Sequence, residues 1–234
     1  MSRPARALID LPAIRHNYRL ARQLGGGKAA AIIKANAYGH GAIRVAQALA
    51  DEADAFGVAC IEEALELRES GIHGQPILLL EGVFSPDELD AVDRLNMSIT
   101  VHTDAQLEWL LQARPQRPLD VFLKLDTGMH RLGFAPARAR GLYDRLRACP
   151  HVGQITLMTH FARADEVNED FTTTQLQRFR RAAAELGSPL SMANSAAILA
   201  WPDAQADWVR PGIMLYGADP LDQPNAHSAS CELP

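Results

Sequence analysis

Short apolar segments and helix-patterned segments alternate eight times along this chain, and that alternation constrains the fold more than any other feature. The apolar segments lie at residues 29–33, 55–60, 77–80, 98–101, 119–125, 154–161, 190–194 and 208–210, the last with an optional extension to 216. They are short and flanked by turn residues, the pattern of fully buried strands. Helical patterning covers 13–24, 42–50, 61–69, 86–95, a stretch opened by Thr103 with Gln106, then 136–148, 172–186 and 195–199. Asp10 precedes the first helix as a capping residue, and Ser85-Pro86-Asp87-Glu88 has the form of a capping box. A strand that returns through a helix must pair in parallel. Eight such units at this length fit a closed (β/α)8 barrel of the TIM type, in the α/β class. An open doubly wound sheet is the alternative, but its glycine fingerprint follows a strand. Here Gly25-Gly26-Gly27 comes before one and reads as a flexible turn.

The barrel is assigned to residues 1–217. Residues 218–234, with Pro220, Pro224 and Pro234, read as a linker toward a further domain. A net charge of -5 and a pI near 5.9 argue against a nucleic-acid or anionic-membrane partner. No apolar run has the length of a membrane span, and the first ten residues lack a leader pattern. Cys60, Cys149 and Cys231 are odd in number and far apart. They suit free thiols in a reducing cytoplasm better than a disulfide frame, and no metal site is expected.

Function in such a barrel belongs at the carboxyl ends of the strands. Lys34 follows the first strand, with Tyr38 close behind. Only three of the 23 basic residues are lysines, Lys28, Lys34 and Lys124. A lysine inside an apolar strand of an arginine-rich chain points to a need for a primary amine. Burial would lower its pKa and suit it to Schiff-base chemistry, although a lysine at a strand end also commonly snorkels to solvent. The other strand ends carry Lys124 with Arg131, His160, Asn194-Ser195, and Arg210 with Gly212. Each has an ordinary reading: a core histidine, a surface arginine, a helix cap. Together they describe a reactive amine, a phosphate site at a helix amino end and a histidine able to stack on a ring. That combination suggests pyridoxal 5'-phosphate.

The run from Ile33 to Gly41, Ile-Lys-Ala-Asn-Ala-Tyr-Gly-His-Gly, resembles the cofactor-lysine signature of the alanine racemase family. Lys124 to Gly133, Thr159-His160-Phe161, Asn194 to Ala197 and Arg210 to Ile213 are similar to that family's later motifs, in order. The resemblance implies that Lys34 carries pyridoxal phosphate and acts as one of two bases. It implies that Tyr38, Ser195, Gly212 and Ile213 hold the phosphate, with Asn194 nearby. His160 would flank the ring, Arg210 would face the pyridine nitrogen, and Arg131 would bond the ring oxygen near the substrate carboxylate. Lys124 resembles a lysine that is carbamylated in many members. The family further implies interconversion of L- and D-alanine by a homodimer whose second base is a tyrosine of the partner's carboxyl-terminal β domain.

The chain stops near Pro234, short of that β domain, and none of Tyr18, Tyr38, Tyr143 and Tyr216 matches the second base. Little or no racemase activity is therefore expected of these residues alone. Two rival readings stay open: a non-catalytic single-domain carrier of pyridoxal phosphate, and a Schiff-base aldolase that needs no cofactor.

Overall fold

The computed structural model describes residues 7–233. Residues 1–6, part of the stretch read above for a leader, and Pro234 lie outside the described residues. Eight strands form: β1 Lys28–Ile32, β2 Ala55–Val58, β3 Ile77–Leu79, β4 Met97–Val101, β5 Leu119–Lys124, β6 Val152–Met158, β7 Leu190–Ser191 and β8 Trp208–Val209. They pair in parallel in chain order, and β8 returns to β1 to close the barrel. The expected fold class is the one observed.

The strands alternate between two apolar environments. Ile77, Leu79, Ile99, Val121 and Leu123 face the helices in one continuous core. Leu78, Phe122 and Met158 form a separate cluster, with Leu80 against it. Lys124 is two residues beyond Phe122 and His160 two beyond Met158, so the same pleat carries them toward the carboxyl-end mouth.

β6 and β7 are shorter at their carboxyl ends than the sequence pattern suggested. Residues 159–161 and 192–194 leave the ladder, although Thr159 N still donates to the Ser191 carbonyl at 3.1 Å. The optional extension of β8 is a correction. Pro211 has no N–H to continue a ladder, and Ile213–Tyr216 is a 3-10 turn.

The first helix, Leu11–Gly25, is capped by Asp10, whose carboxylate accepts from Ala13 N at 3.2 Å. Gly26 stops it in the left-handed conformation, φ 71°, donating to the Arg22 carbonyl. The glycine triplet is thus a defined helix stop, which corrects its reading as a flexible turn. This helix packs against helices Ala42–Leu49 and Ser195–Ala200, which follow β1 and β7. It therefore takes the place in the outer ring that a helix after β8 would fill. Asn17 on it donates to the carbonyls of Leu215 (3.1 Å) and Glu232 (2.7 Å) and accepts from Glu232 N, so the stretch read as a linker lies back on the barrel.

The capping box also needs correction. Ser85 makes no capping bond, the first turn Pro86–Glu88 is 3-10, and Glu88 accepts from Phe84 N at 3.0 Å. Thr103 does cap helix Asp104–Gln112, accepting from Gln106 N, while the Gln106 amide oxygen takes His102 N. Among the described residues no helix is long and apolar enough to cross a membrane. All three cysteines are free thiols.

Candidate active site

The chain leaves β1 through an uncommon turn. Lys34–Tyr38 makes one helical turn in which Ala35, Asn36, Ala37 and Tyr38 have φ of 51–54°. That is left-handed, which costs residues with a Cβ roughly 1–2 kcal/mol each. The turn persists because its polar groups are met. Ala37 N donates to the Ile33 carbonyl, Ala35 N to Glu63 Oε1 at 2.7 Å, and Ala42 N to Asn36 Oδ1 at 2.9 Å. Behind it the buried Tyr216 ring lies 4.5 Å from the His40 ring and 5.2 Å from the Tyr38 ring.

A cavity of about 540 Å³ opens at the carboxyl ends of the strands. Lys34, Tyr38, Lys124, Arg131, His160, Asn194, Ser195, Arg210, Gly212 and Ile213 all line it. The structure thus brings together every residue singled out in the sequence. Lys34 is half-buried rather than buried, and Arg131 is exposed. The deeply buried lysine is Lys124, whose pKa is pushed down to about 8 by desolvation and then by the charges of Arg210, Arg131 and Lys34.

Four cations face one cavity, against only two carboxylates in its lining, Glu81 and Asp165. Among the described residues none of the four is within 4.0 Å of a carboxylate. Uncompensated buried cations are costly, and a bound anion relieves the cost. Arg210 is buried and neutral groups alone satisfy it. Nη1 donates to Ser191 Oγ (2.5 Å), and Nη2 donates to the carbonyls of Thr159 (2.7 Å) and Met192 (3.3 Å). Desolvation lowers its pKa to about 10, so it stays charged. His160 is held well below the usual histidine range, first by desolvation and then by Arg210.

On the opposite wall Asn194 caps helix Ser195–Ala200, accepting from Ala197 N at 3.1 Å. Ser195 Oγ accepts from Gly212 N (2.9 Å) and Met214 N (3.2 Å). Both oxygen lone pairs are then used, and the hydroxyl hydrogen is left to donate. The Tyr38 hydroxyl has no protein hydrogen-bond partner among the described residues. A Cβ on Gly212 would stand 3.0 Å from it, so glycine keeps this corner open.

Arg131 hangs from a loop folded back on β5. Asp126 N donates to the Phe134 carbonyl and Phe134 N to the Lys124 carbonyl. Gly133, φ 129°, allows the return, since a Cβ there would lie 2.7 Å from Asp126 N. Fully buried Gln175 joins this loop to the next, donating to Thr127 Oγ1 and the His160 carbonyl and accepting from Ala162 N. Sequence reasoning missed Glu81, Asp165, Gln175 and Glu63. Glu81 lies two residues past the end of β3, and the strand-end rule would have found it. The other three lie on loops or helices, and nothing local marks them.

The fold and site define a (β/α)8 barrel whose carboxyl-end cavity sets a lysine amine beside a cationic anion-binding corner. The family model for the alanine racemase N-terminal domain matches residues 9–220. The chain belongs to the alanine racemase family. The alanine racemase of Aromatoleum aromaticum is 59% identical over 224 residues, covering 95% of this chain and 63% of that protein. The crystal structure of biosynthetic alanine racemase from Pseudomonas aeruginosa superposes with a TM-score of 0.91 at 47% identity, covering 96% of this chain and 63% of that one. The alanine racemase from Bartonella henselae, crystallised with covalently bound pyridoxal phosphate, is 32% identical with a TM-score of 0.83, covering 94% and 65%. The chain therefore spans just under two thirds of the length of these relatives.

Proposed function

We propose that this chain is the pyridoxal-phosphate-holding barrel of an enzyme that interconverts L- and D-alanine. The observation that carries the reading is the cavity in which Lys124, Arg131 and Arg210 surround the Lys34 amine, with none of the four paired to a carboxylate among the described residues. Its donor set suits the cofactor. The free Tyr38 hydroxyl, the Ser195 hydroxyl hydrogen and the open Gly212 corner suit a phosphate, and Lys34 suits the aldehyde.

The cofactor, when bound, supplies an aldehyde that links to amines and a ring that makes the Cα–H of a linked amino acid acidic. Lys34 would hold it and, once released by substrate, would remove or return a proton at Nζ on one face of the carbon. Arg210 would face the ring nitrogen as a permanent cation and leave that nitrogen without a proton. His160, neutral, would flank the ring. Arg131 would orient the substrate carboxylate. Lys124, with a pKa near 8, keeps a minor fraction of free amine at neutral pH, and that fraction can take up carbon dioxide as a carbamate, releasing a proton. The carbamate would replace a cation beside Arg131 with an anion.

The opposite face needs a second base. Tyr38 alone of the four tyrosines lines the cavity. The hydroxyls of Tyr18 and Tyr216 donate to the Ala29 and Ile32 carbonyls, and both rings are buried. The resemblance to the alanine racemase family, rather than anything in these residues, assigns the second base to a carboxyl-terminal domain of a partner in a homodimer. These 234 residues should bind pyridoxal phosphate and racemise alanine far more slowly than the relatives. The test is a chiral assay in deuterated water on this chain and on the Aromatoleum aromaticum enzyme at equal cofactor occupancy. Equal racemisation rates would defeat the two-base reading. Bound cofactor with no Cα exchange even in a longer chain would favour the carrier reading.

A further inference from the structure

We propose that Glu63 is a positioning residue for Lys34, resting on the reading of Lys34 as the cofactor lysine. Glu63 lies in helix Ile61–Glu69, which follows β2, and takes no part in the cavity lining. Its two carboxylate oxygens divide between two chain segments. Oε1 accepts from Ala35 N at 2.7 Å, and Oε2 accepts from Ala59 N at 2.8 Å. Ala35 is the residue directly after Lys34 and the first of the four in the left-handed conformation. Ala59 is the first residue beyond β2. One carboxylate therefore ties the exits of two neighbouring strands.

The turn needs such a tie. The backbone at Ala35 to Tyr38 sits in a region that residues with a Cβ leave when they are free to. Its far end is fixed by Asn36, by Gly39 and Gly41 donating to the Asn36 carbonyl, and by the Tyr216 ring. At the end nearest Lys34, Ala37 N meets the Ile33 carbonyl, and Glu63 is the one side chain that accepts from the Ala35 peptide. A charged acceptor is the strong form of this bond. Without it the N–H of the peptide after Lys34 loses its acceptor, and the amine loses its aim at the cavity before any other part of the site is disturbed.

The experiment separates positioning of the amine from general damage. Pyridoxal 5'-phosphate can bond covalently to Lys34, its aldehyde carbon joining the amine nitrogen with loss of one water. Pyridoxine 5'-phosphate has an alcohol in place of the aldehyde and reports the non-covalent grip alone. The affinity ratio of the two ligands is measured for the unaltered chain, Glu63→Ala, Glu63→Gln and the exposed control Glu66→Gln. Borohydride trapping and mass analysis identify the lysine. The ratio should fall about tenfold in Glu63→Ala, the size expected for a hydrogen bond to a charged group. It should fall less in Glu63→Gln, which keeps one acceptor and the fold, and stay unchanged in Glu66→Gln. An unchanged ratio in both Glu63 variants overturns the proposal, as does an equal loss of both ligands, which would mark Glu63 as merely structural. Absence of any Lys34 adduct in the unaltered chain overturns the cofactor reading itself, and with it this inference.

Discussion

Nη2 of Arg210 lies 3.5 Å from Nδ1 of His160. The guanidinium carries only donors and faces that nitrogen, an arrangement that disfavours a proton on it and suits a neutral ring. Burial works in the same direction. His160 should stay uncharged in the folded chain well below the pH near 6.5 at which an unperturbed histidine titrates. The folded pKa lies below the unfolded one, so stability falls as pH drops through the unfolded value, where only the unfolded chain takes up the proton. Histidine NMR titration checks this. Arg210→Met should move the His160 pKa part of the way back up. A His160 that titrates near 6.5 in the unaltered chain would contradict the geometry.

Tyr38→Phe and Ser195→Ala should each weaken pyridoxal phosphate binding about tenfold, since each removes a donor to a charged group. Their effects on the cofactor-free chain should differ. The Tyr38 hydroxyl has no protein partner among the described residues, so Tyr38→Phe should leave stability within about 0.5 kcal/mol. Ser195→Ala strips the acceptor from two buried N–H groups, of Gly212 and Met214, and should cost roughly 2–4 kcal/mol. Urea unfolding alongside cofactor titration distinguishes the two, and equal stability losses would be inconsistent with the bonding described.

Lys124 should make the cofactor-free chain more stable in mild alkali. Its folded pKa near 8 lies below the ordinary 10.5. Between those values the unfolded chain keeps a proton that the folded chain has shed, so stability rises with pH across that window. Below pH 8 both forms are charged and the folded chain bears the whole cost of holding that charge, from desolvation and the neighbouring cations together, about 3 kcal/mol. Lys124→Met should remove this pH dependence and stabilise the chain near pH 7 by roughly 1–3 kcal/mol. Unfolding at pH 7 and pH 10 in carbonate-free buffer measures it. The same pH slope in both proteins would reject the assignment.

Arg68 predicts a stability loss with no effect on the site. It is buried and donates to four carbonyls, those of Leu95, Ile72, Gln75 and Asn96, just ahead of β3 and β4. These lie at the end of the barrel opposite the cavity. Lysine cannot reproduce that fork. Arg68→Lys should cost about 2–4 kcal/mol and lower Tm by roughly 5–10 °C, while pyridoxal phosphate affinity stays unchanged. A shift in affinity would mean that the two ends of the barrel are coupled.

The strand and helix alternation was legible because each strand is a short unbroken apolar run and each helix carries its own stops. The ten cavity residues were legible for a related reason. In a closed parallel barrel every strand ends at the same mouth, so Lys34, Lys124, His160 and Arg210 converge although far apart in sequence. Local conformation was harder to see. The two alanines, Ala35 and Ala37, give no sign of a left-handed turn, because it is held by the Asn36 side chain within it and by Glu63 and Tyr216 from outside. The burial argument expected a deeply buried Lys34 and found its lysine at Lys124, since depth depends on how far past the strand end a residue sits. Gln175 escaped notice because a buried glutamine on a helix resembles any polar surface residue until the fold closes over it.

The first helix stands where a helix after the last strand would stand, and Asn17 meets the Leu215 carbonyl across 198 residues of chain. During synthesis the apolar side of that helix, with Ile14, Tyr18 and Ala21, therefore leaves the ribosome long before its neighbours in Ser195–Ala200 and Ile213–Tyr216. Until Trp208 and Val209 follow, the sheet has two open edges, β1 and β7, each able to pair with another chain. Ring closure over so long a loop is slow. The two residues of β8 thus separate a sheet with two pairable edges from a closed barrel with none.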